Sequence, residues 1–113
     1  MAEIAGYHAH IYFDEKTFDQ ARELCEQARD RFGVSMGRMH RKPVGPHPRW
    51  SCLIAFSPDK FGAVVPWLAT NRGGLAVLIH PETGNDYKDH TDHAIWMGTM
   101  LPLDLAKLQG RTL

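Results

Sequence analysis

His8 and His10 stand two residues apart in the run Tyr7-His8-Ala9-His10-Ile11-Tyr12-Phe13. Histidine is the commonest metal ligand, and it exchanges a proton near neutral pH. On a strand, residues two apart share a face and lie about 6.5–7 Å apart, which lets two imidazoles converge on one ion at ~2.0–2.2 Å from each. On spacing alone the pair could equally be one hydrogen-bonded sheet residue and one surface neighbour. The chain holds seven histidines against five phenylalanines, so other candidates exist and their positions decide the matter. His80 opens the run His80-Pro81-Glu82-Thr83-Gly84. His90 and His93 follow within Asp89-His90-Thr91-Asp92-His93, and His47 is clamped between Pro46 and Pro48. His40 is the weakest of the set and reads as structural or solvated.

The elements that must carry these side chains can be read from residue type and period. Aromatic and β-branched residues make Gly6 to Phe13 a strand. Its alternation puts His8, His10 and Tyr12 on one face and Tyr7, Ala9, Ile11 and Phe13 on the other. Asp14 offers an N-cap, and Phe18, Ala21, Leu24, Cys25, Ala28 and Phe32 recur at helical spacing, predicting a helix from about Glu15 to Phe32 with Gly33 as its stop. Val34 to His40 alternates weakly as a strand, and Arg41 to Arg49 is a proline-rich loop. Trp50 to Phe56 is a second clear strand. Ser57-Pro58 starts another helix with Phe61, Val64, Val65 and Leu68 as its apolar stripe and a kink expected at Pro66. Asn71-Arg72-Gly73-Gly74 is a turn, and Leu75 to Ile79 is a last strand. The order β-α-β-β-α-β, in one domain spanning residues 1–113, predicts an α+β ferredoxin-like fold, a four-stranded antiparallel sheet with both helices on one face and a C-terminal tail from His80 onward.

That topology bears on the chemistry. The apolar set of the first strand must face the helices, so His8, His10 and Tyr12 project from the uncovered face. The tail, a second subunit or both must cover it, and a homodimer is the simplest solution. The last strand runs antiparallel beside the first, which brings His80 next to His8. Glu82, Asp86, Asp89 and Asp92 could supply a carboxylate ligand or hydrogen-bond partners for histidine. Arg38, Arg41, Lys42 and Arg49 could hold a substrate carboxylate, although a solvated basic edge is the plainer reading for most of them.

Composition bounds the alternatives. Thirteen basic residues balance thirteen acidic ones, leaving no electrostatic footprint for nucleic acid or for an anionic membrane surface. No apolar run approaches the ~20 residues of a membrane span, and the first residues lack a secretory pattern. Cys25 and Cys52 fall within apolar patterns and read as buried thiols. A cytoplasmic protein is the default expectation.

Several runs in this order resemble the DOPA 4,5-dioxygenase family, the small single-domain aromatic-ring-opening enzymes. They are Tyr7-His8-Ala9-His10-Ile11-Tyr12-Phe13, Pro43-Val44-Gly45-Pro46-His47-Pro48, Val65-Pro66-Trp67-Leu68 with Asn71-Arg72-Gly73-Gly74, and His80-Pro81-Glu82-Thr83-Gly84 followed by Asp89-His90. The resemblance implies extradiol cleavage of a catechol such as DOPA or a related small aromatic by O2, with non-haem iron(II), or zinc in a purified sample. Its histidine-bearing motifs match at His8, His10, His47, His80 and His90, without saying which bind metal. Three histidines, or two with a carboxylate, would leave coordination positions open. We expect His8, His10 and His80 as ligands, His47 and His90 as acid–base or orienting groups, and Tyr12 as a hydrogen-bonding partner of the substrate. The alternatives are a non-enzymatic metal- or small-ligand-binding protein on the same fold, and a metal-free monooxygenase working in a dimer cleft.

Overall fold

A computed structural model describes residues 3–108. Strand β1 spans Tyr7–Phe13 and helix α1 Phe18–Phe32, followed by β2 at Ser35–Met36 and β3 at Trp50–Phe56. A single 3-10 turn, Pro58–Lys60, leads into α2 at Phe61–Asn71, and β4 follows at Val77–Pro81. The chain then adds a one-turn helix α3 at Asp86–Asp89, a strand β5 at Ile95–Met97 and a 3-10 turn at Leu105–Lys107. The strands form one antiparallel sheet in the order β2-β3-β1-β4-β5. The expected sheet of four strands is therefore corrected to five, because the tail contributes β5. Among the described residues no helix is long and apolar enough to cross a membrane.

Two cores divide along the pleat. Ala9, Ile11 and Phe13 of β1, Cys52, Ile54 and Phe56 of β3, and Val77 and Ile79 of β4 pack with Ala21, Leu24, Cys25 and Ala28 of α1 and Val64 and Leu68 of α2. Each large aliphatic side chain removed from water there contributes about 1.5–3 kcal/mol. The other face carries a smaller cluster of Tyr12, Ala76, Leu78 and Leu101, with Ala94, Trp96 and Leu103 against it. Here the tail supplies the cover that the bare face required. Strand β5 pairs with β4, setting Trp96 opposite Leu78, and the Asp104 N–H donates to Pro46 O at 2.8 Å, tying the tail to the proline-rich loop.

Several boundaries depart from the sequence reading. Asp14 does not cap α1. Its Oδ1 accepts from the Lys16 and Thr17 amides, a local turn that delays the helix from Glu15 to Phe18. Gly33 does end α1, in the left-handed conformation at φ 68°, with its N–H donating to Arg29 O. The strand expected over Val34 to His40 shrinks to Ser35–Met36 with a lone bridge between His40 and Ser51, since Gly37 offers no side chain to pack. Pro58 begins a 3-10 turn, and the Ser57 hydroxyl bonds Asp59 instead of capping a helix. Helix α2 runs through Pro66 as one element. The last predicted strand shifts from residues 75–79 to 77–81, drawing His80 into the sheet.

Candidate metal centre

Register builds the site. Strand β1 lies between β3 and β4, and His8 pairs directly with His80, while His10 faces Leu53 on one side and Leu78 on the other. Because alternate residues share a face, His8, His10 and His80 emerge together on the side away from α1 and α2. The loop before β3 brings His47 to His10, with ring centroids 4.0 Å apart. The residue that ends α3 brings His90 to His80, also at 4.0 Å. Five of the seven histidines thus meet at one place. Two trios, His8-His10-His80 and His10-His47-His90, have potential ligand atoms all within 4.8 Å of one another, and His10 is common to both.

Three of these rings are held by their outer nitrogen. His8 Nδ1 lies 2.7 Å from Glu82 Oε1, His80 Nδ1 3.0 Å from Pro81 O, and His90 Nδ1 2.7 Å from Asp86 O. A carbonyl or carboxylate only accepts, so each Nδ1 bears the hydrogen and each Nε2 keeps its lone pair, the arrangement that orients histidine ligands in metal sites. His47 differs. Its Nδ1 lies 2.6 Å from the Tyr12 hydroxyl. Burial pushes the Tyr12 pKa up, so the phenol keeps its proton; its hydroxyl can donate to Nδ1 or accept from an Nδ1–H, and the bond serves both tautomers of His47. Trp96 stacks on the Tyr12 ring at 6.0 Å and fixes it.

The cluster is built to remain uncharged. His10, His47 and His80 are buried. Burial, with the neighbouring histidines adding to it, holds His47 and His80 down at about 4 and His10 well below the usual imidazole range. His8 is also lowered, by burial and then by His90, while Glu82 is raised by burial and then by Asp86 and Asp89. Both shifts favour the neutral forms, so the His8–Glu82 contact acts as a hydrogen bond from the imidazole N–H to a Glu82 oxygen more than as an ion pair. Neutral imidazoles are what a cation needs.

The donor set fits a transition-metal ion. Two nitrogens each ~2.1 Å from one ion lie roughly 3.0–3.4 Å apart for right-angled to tetrahedral arrangements, and His10 Nε2 and His80 Nε2 are 3.1 Å apart. With His8 beside them, this buried cluster could hold a metal ion.

Other predicted groups fall elsewhere. His40 bridges Ser51 at the far sheet edge. His93 is exposed, and its Nδ1 lies 3.2 Å from Asp89 Oδ1. Arg41 lies over the Phe18 ring at 4.3 Å, and Arg49 borders a hollow with Phe13, Asp14 and Trp50. Both lie beside Phe13, Phe18 and Trp50, which pack with the helix-side core. Sequence reasoning missed Asp89 as a structural anchor. It is fully buried and accepts from the Thr83 amide at 2.8 Å and the Thr83 hydroxyl at 2.6 Å. Burial opposes its charge, but these bonds and the one from His93 prevail and lower its pKa. Asp89 thereby clamps the turn after His80 to the short helix that delivers His90. The carbonyls of Pro81 and Asp86 carried no sequence signal, since any residue supplies one.

A family model described as the Dopa 4,5-dioxygenase family matches residues 7–107, a stretch that includes all five clustered histidines. The chain belongs to this family. Across 113 aligned residues it is 42% identical to an uncharacterised 21.2 kDa protein of Botryotinia fuckeliana, covering 89% of this chain and 62% of that protein. It is 33% identical over 117 residues to a DOPA 4,5-dioxygenase of Amanita muscaria, covering 95% of this chain and 51% of the relative. The chain thus spans about half to three-fifths of the length of these curated relatives. A crystal structure of a candidate dioxygenase from Nostoc punctiforme superposes with a TM-score of 0.82 at 43% identity, covering 94% of this chain and 92% of that one.

Proposed function

We propose that this family member is an extradiol ring-cleaving dioxygenase acting on a catechol with O2 and a non-haem metal. The observation that carries the reading is the meeting of His8, His10 and His80 on one sheet face, with the Nε2 atoms of His10 and His80 3.1 Å apart. Family membership supports the same chemistry. His8, His10 and His80 would hold the metal, which when bound supplies coordination positions for the catechol oxygens and for dioxygen.

The protein's own groups divide the remaining work. Glu82 and Pro81 O fix the rings of His8 and His80. His47 is the proton-handling group: with its hydrogen on Nδ1, donated to the Tyr12 oxygen, Nε2 carries the lone pair that takes a hydroxyl proton from the substrate, and the imidazolium so formed returns it later. His90, held by Asp86 O, orients the substrate from the opposite wall. The β-α-β-β-α-β run and the β2-β3-β1-β4 order support a ferredoxin-like reading of the first four strands, with β5 as an addition. We also propose that the protein is cytoplasmic and works as a homodimer, for which exposed Ile95 on the edge strand and Met100 offer apolar contact.

The test is to load the protein with iron(II) under argon, add a catechol, then admit oxygen. The expected result is stoichiometric oxygen uptake with a yellow ring-opened product. No uptake across a panel of catechols, together with a metal whose coordination positions are all filled by protein, would replace this reading with that of a metal-binding protein.

A further inference from the structure

Beside the histidines lies a second hollow of about 220 Å³, walled by Ala94, Trp96, Met100, Leu101, Leu103 and Leu105, with His90 and Thr91 closing one end. His90 is a member of both this hollow and the histidine cluster. Trp96 joins the two a second time, through its stack on Tyr12 and the Tyr12–His47 bond. The hydroxyl of Thr91 is already committed, donating to Tyr87 O at 2.7 Å. Apart from His90, no lining side chain is titratable. An apolar cavity of about 150 Å³ accepts a benzene ring, so this one has room for a small apolar group. No lysine or arginine lines this hollow. The carboxylates Glu82, Asp86 and Asp89 cluster next to the histidines.

We infer that this hollow is the subsite for the ring substituent of the substrate, and that it selects catechols with an uncharged apolar substituent over those bearing a carboxylate or an amino acid. The inference rests on the proposed reading of the histidines as a catechol site. A charged substituent would be stripped of water against leucine and tryptophan with no counter-charge, whereas a short alkyl chain gains about 0.8 kcal/mol per buried methylene.

The experiment is calorimetric binding under argon to the iron(II)-loaded protein, using catechol, 4-methylcatechol, 4-propylcatechol, 3,4-dihydroxyphenylacetate and DOPA. We expect 4-propylcatechol to bind roughly fifty-fold more tightly than catechol, and the two charged compounds to bind more weakly than catechol. Met100→Glu, at the exposed rim, and Leu103→Ser should bring the propylcatechol-to-catechol ratio toward one. Tighter binding of DOPA or dihydroxyphenylacetate, with ring opening intact, would overturn the inference and leave the proposed reaction standing. Failure of every catechol to bind would sink both. A Met100→Glu protein that changes oligomeric state but keeps the ratio would assign the hollow to a subunit contact and also overturn the inference.

Discussion

The two faces of strand β1 are made from alternate residues of one seven-residue run, yet they differ in kind. Ala9, Ile11 and Phe13 enter a core of purely apolar side chains between the sheet and two helices. His8, His10 and Tyr12 face a cover built from the tail, where the imidazoles of His8, His80 and His47 are met one by one by Glu82, Pro81 O and Tyr12. The first face is tolerant of which apolar group fills it and intolerant of lost volume. The second requires particular nitrogens. A period of two residues thus separates what holds the protein together from what it does.

The sharpest way to break that comparison is to alter neighbours. His10→Ala removes the ring shared by both trios. It should abolish metal binding in elemental analysis while the far-ultraviolet spectrum is unchanged. Ile11→Ala, one residue away, should cost about 2–5 kcal/mol in denaturant unfolding while the folded fraction still binds metal. Destabilisation by His10→Ala as large as that by Ile11→Ala would erase the distinction.

Acid should also separate the faces. His47 and His80 have folded pKa values of about 4 against an ordinary 6.5. Between those limits the unfolded chain binds more protons, so stability of the metal-free protein is full above pH ~6.5 and falls as pH drops toward ~4. For the two groups together the loss near pH 5 is on the order of a few kcal/mol, measurable as a falling Tm. A Tm flat over that range would show that the imidazoles are not desolvated as described.

Tyr12→Phe sharpens the division of labour within the open face. The hydroxyl on His47 is lost but the ring remains to stack on Trp96. Turnover should fall by about 10²-fold, with metal affinity little changed. The reverse pattern would make His47 a ligand. Glu82→Gln is the mildest test. Weakening the acceptor on His8 Nδ1 should lower metal affinity by about 10-fold, read by competition with a chelator, and no change would remove His8 from the first three ligands.

These contrasts also explain what could be read from sequence. The alternation in β1 and the bounds of β3 were legible because both strands are long, strongly patterned and central in the sheet. His80 beside His8 followed from topology alone. Strand β5 and helix α3 were not legible, since three or four residues carry no period and are held by what they pack against. The position of His90 depended on them. For Arg41 and Arg49 the plainer reading of a basic edge fits, since both are exposed and lie beside Phe13, Phe18 and Trp50, which pack with the helix-side core.

The bond between His10 and His80 joins residues 70 positions apart. Nothing in an extended chain resembles that site, so an ion that prefers it can bind only molecules whose sheet has closed. Occupancy then acts as a ligand-linked brake on unfolding, adding about 2.7 kcal/mol when free metal stands at a hundred times its dissociation constant. In a cell, the supply of metal would help to set how long each copy of the protein persists.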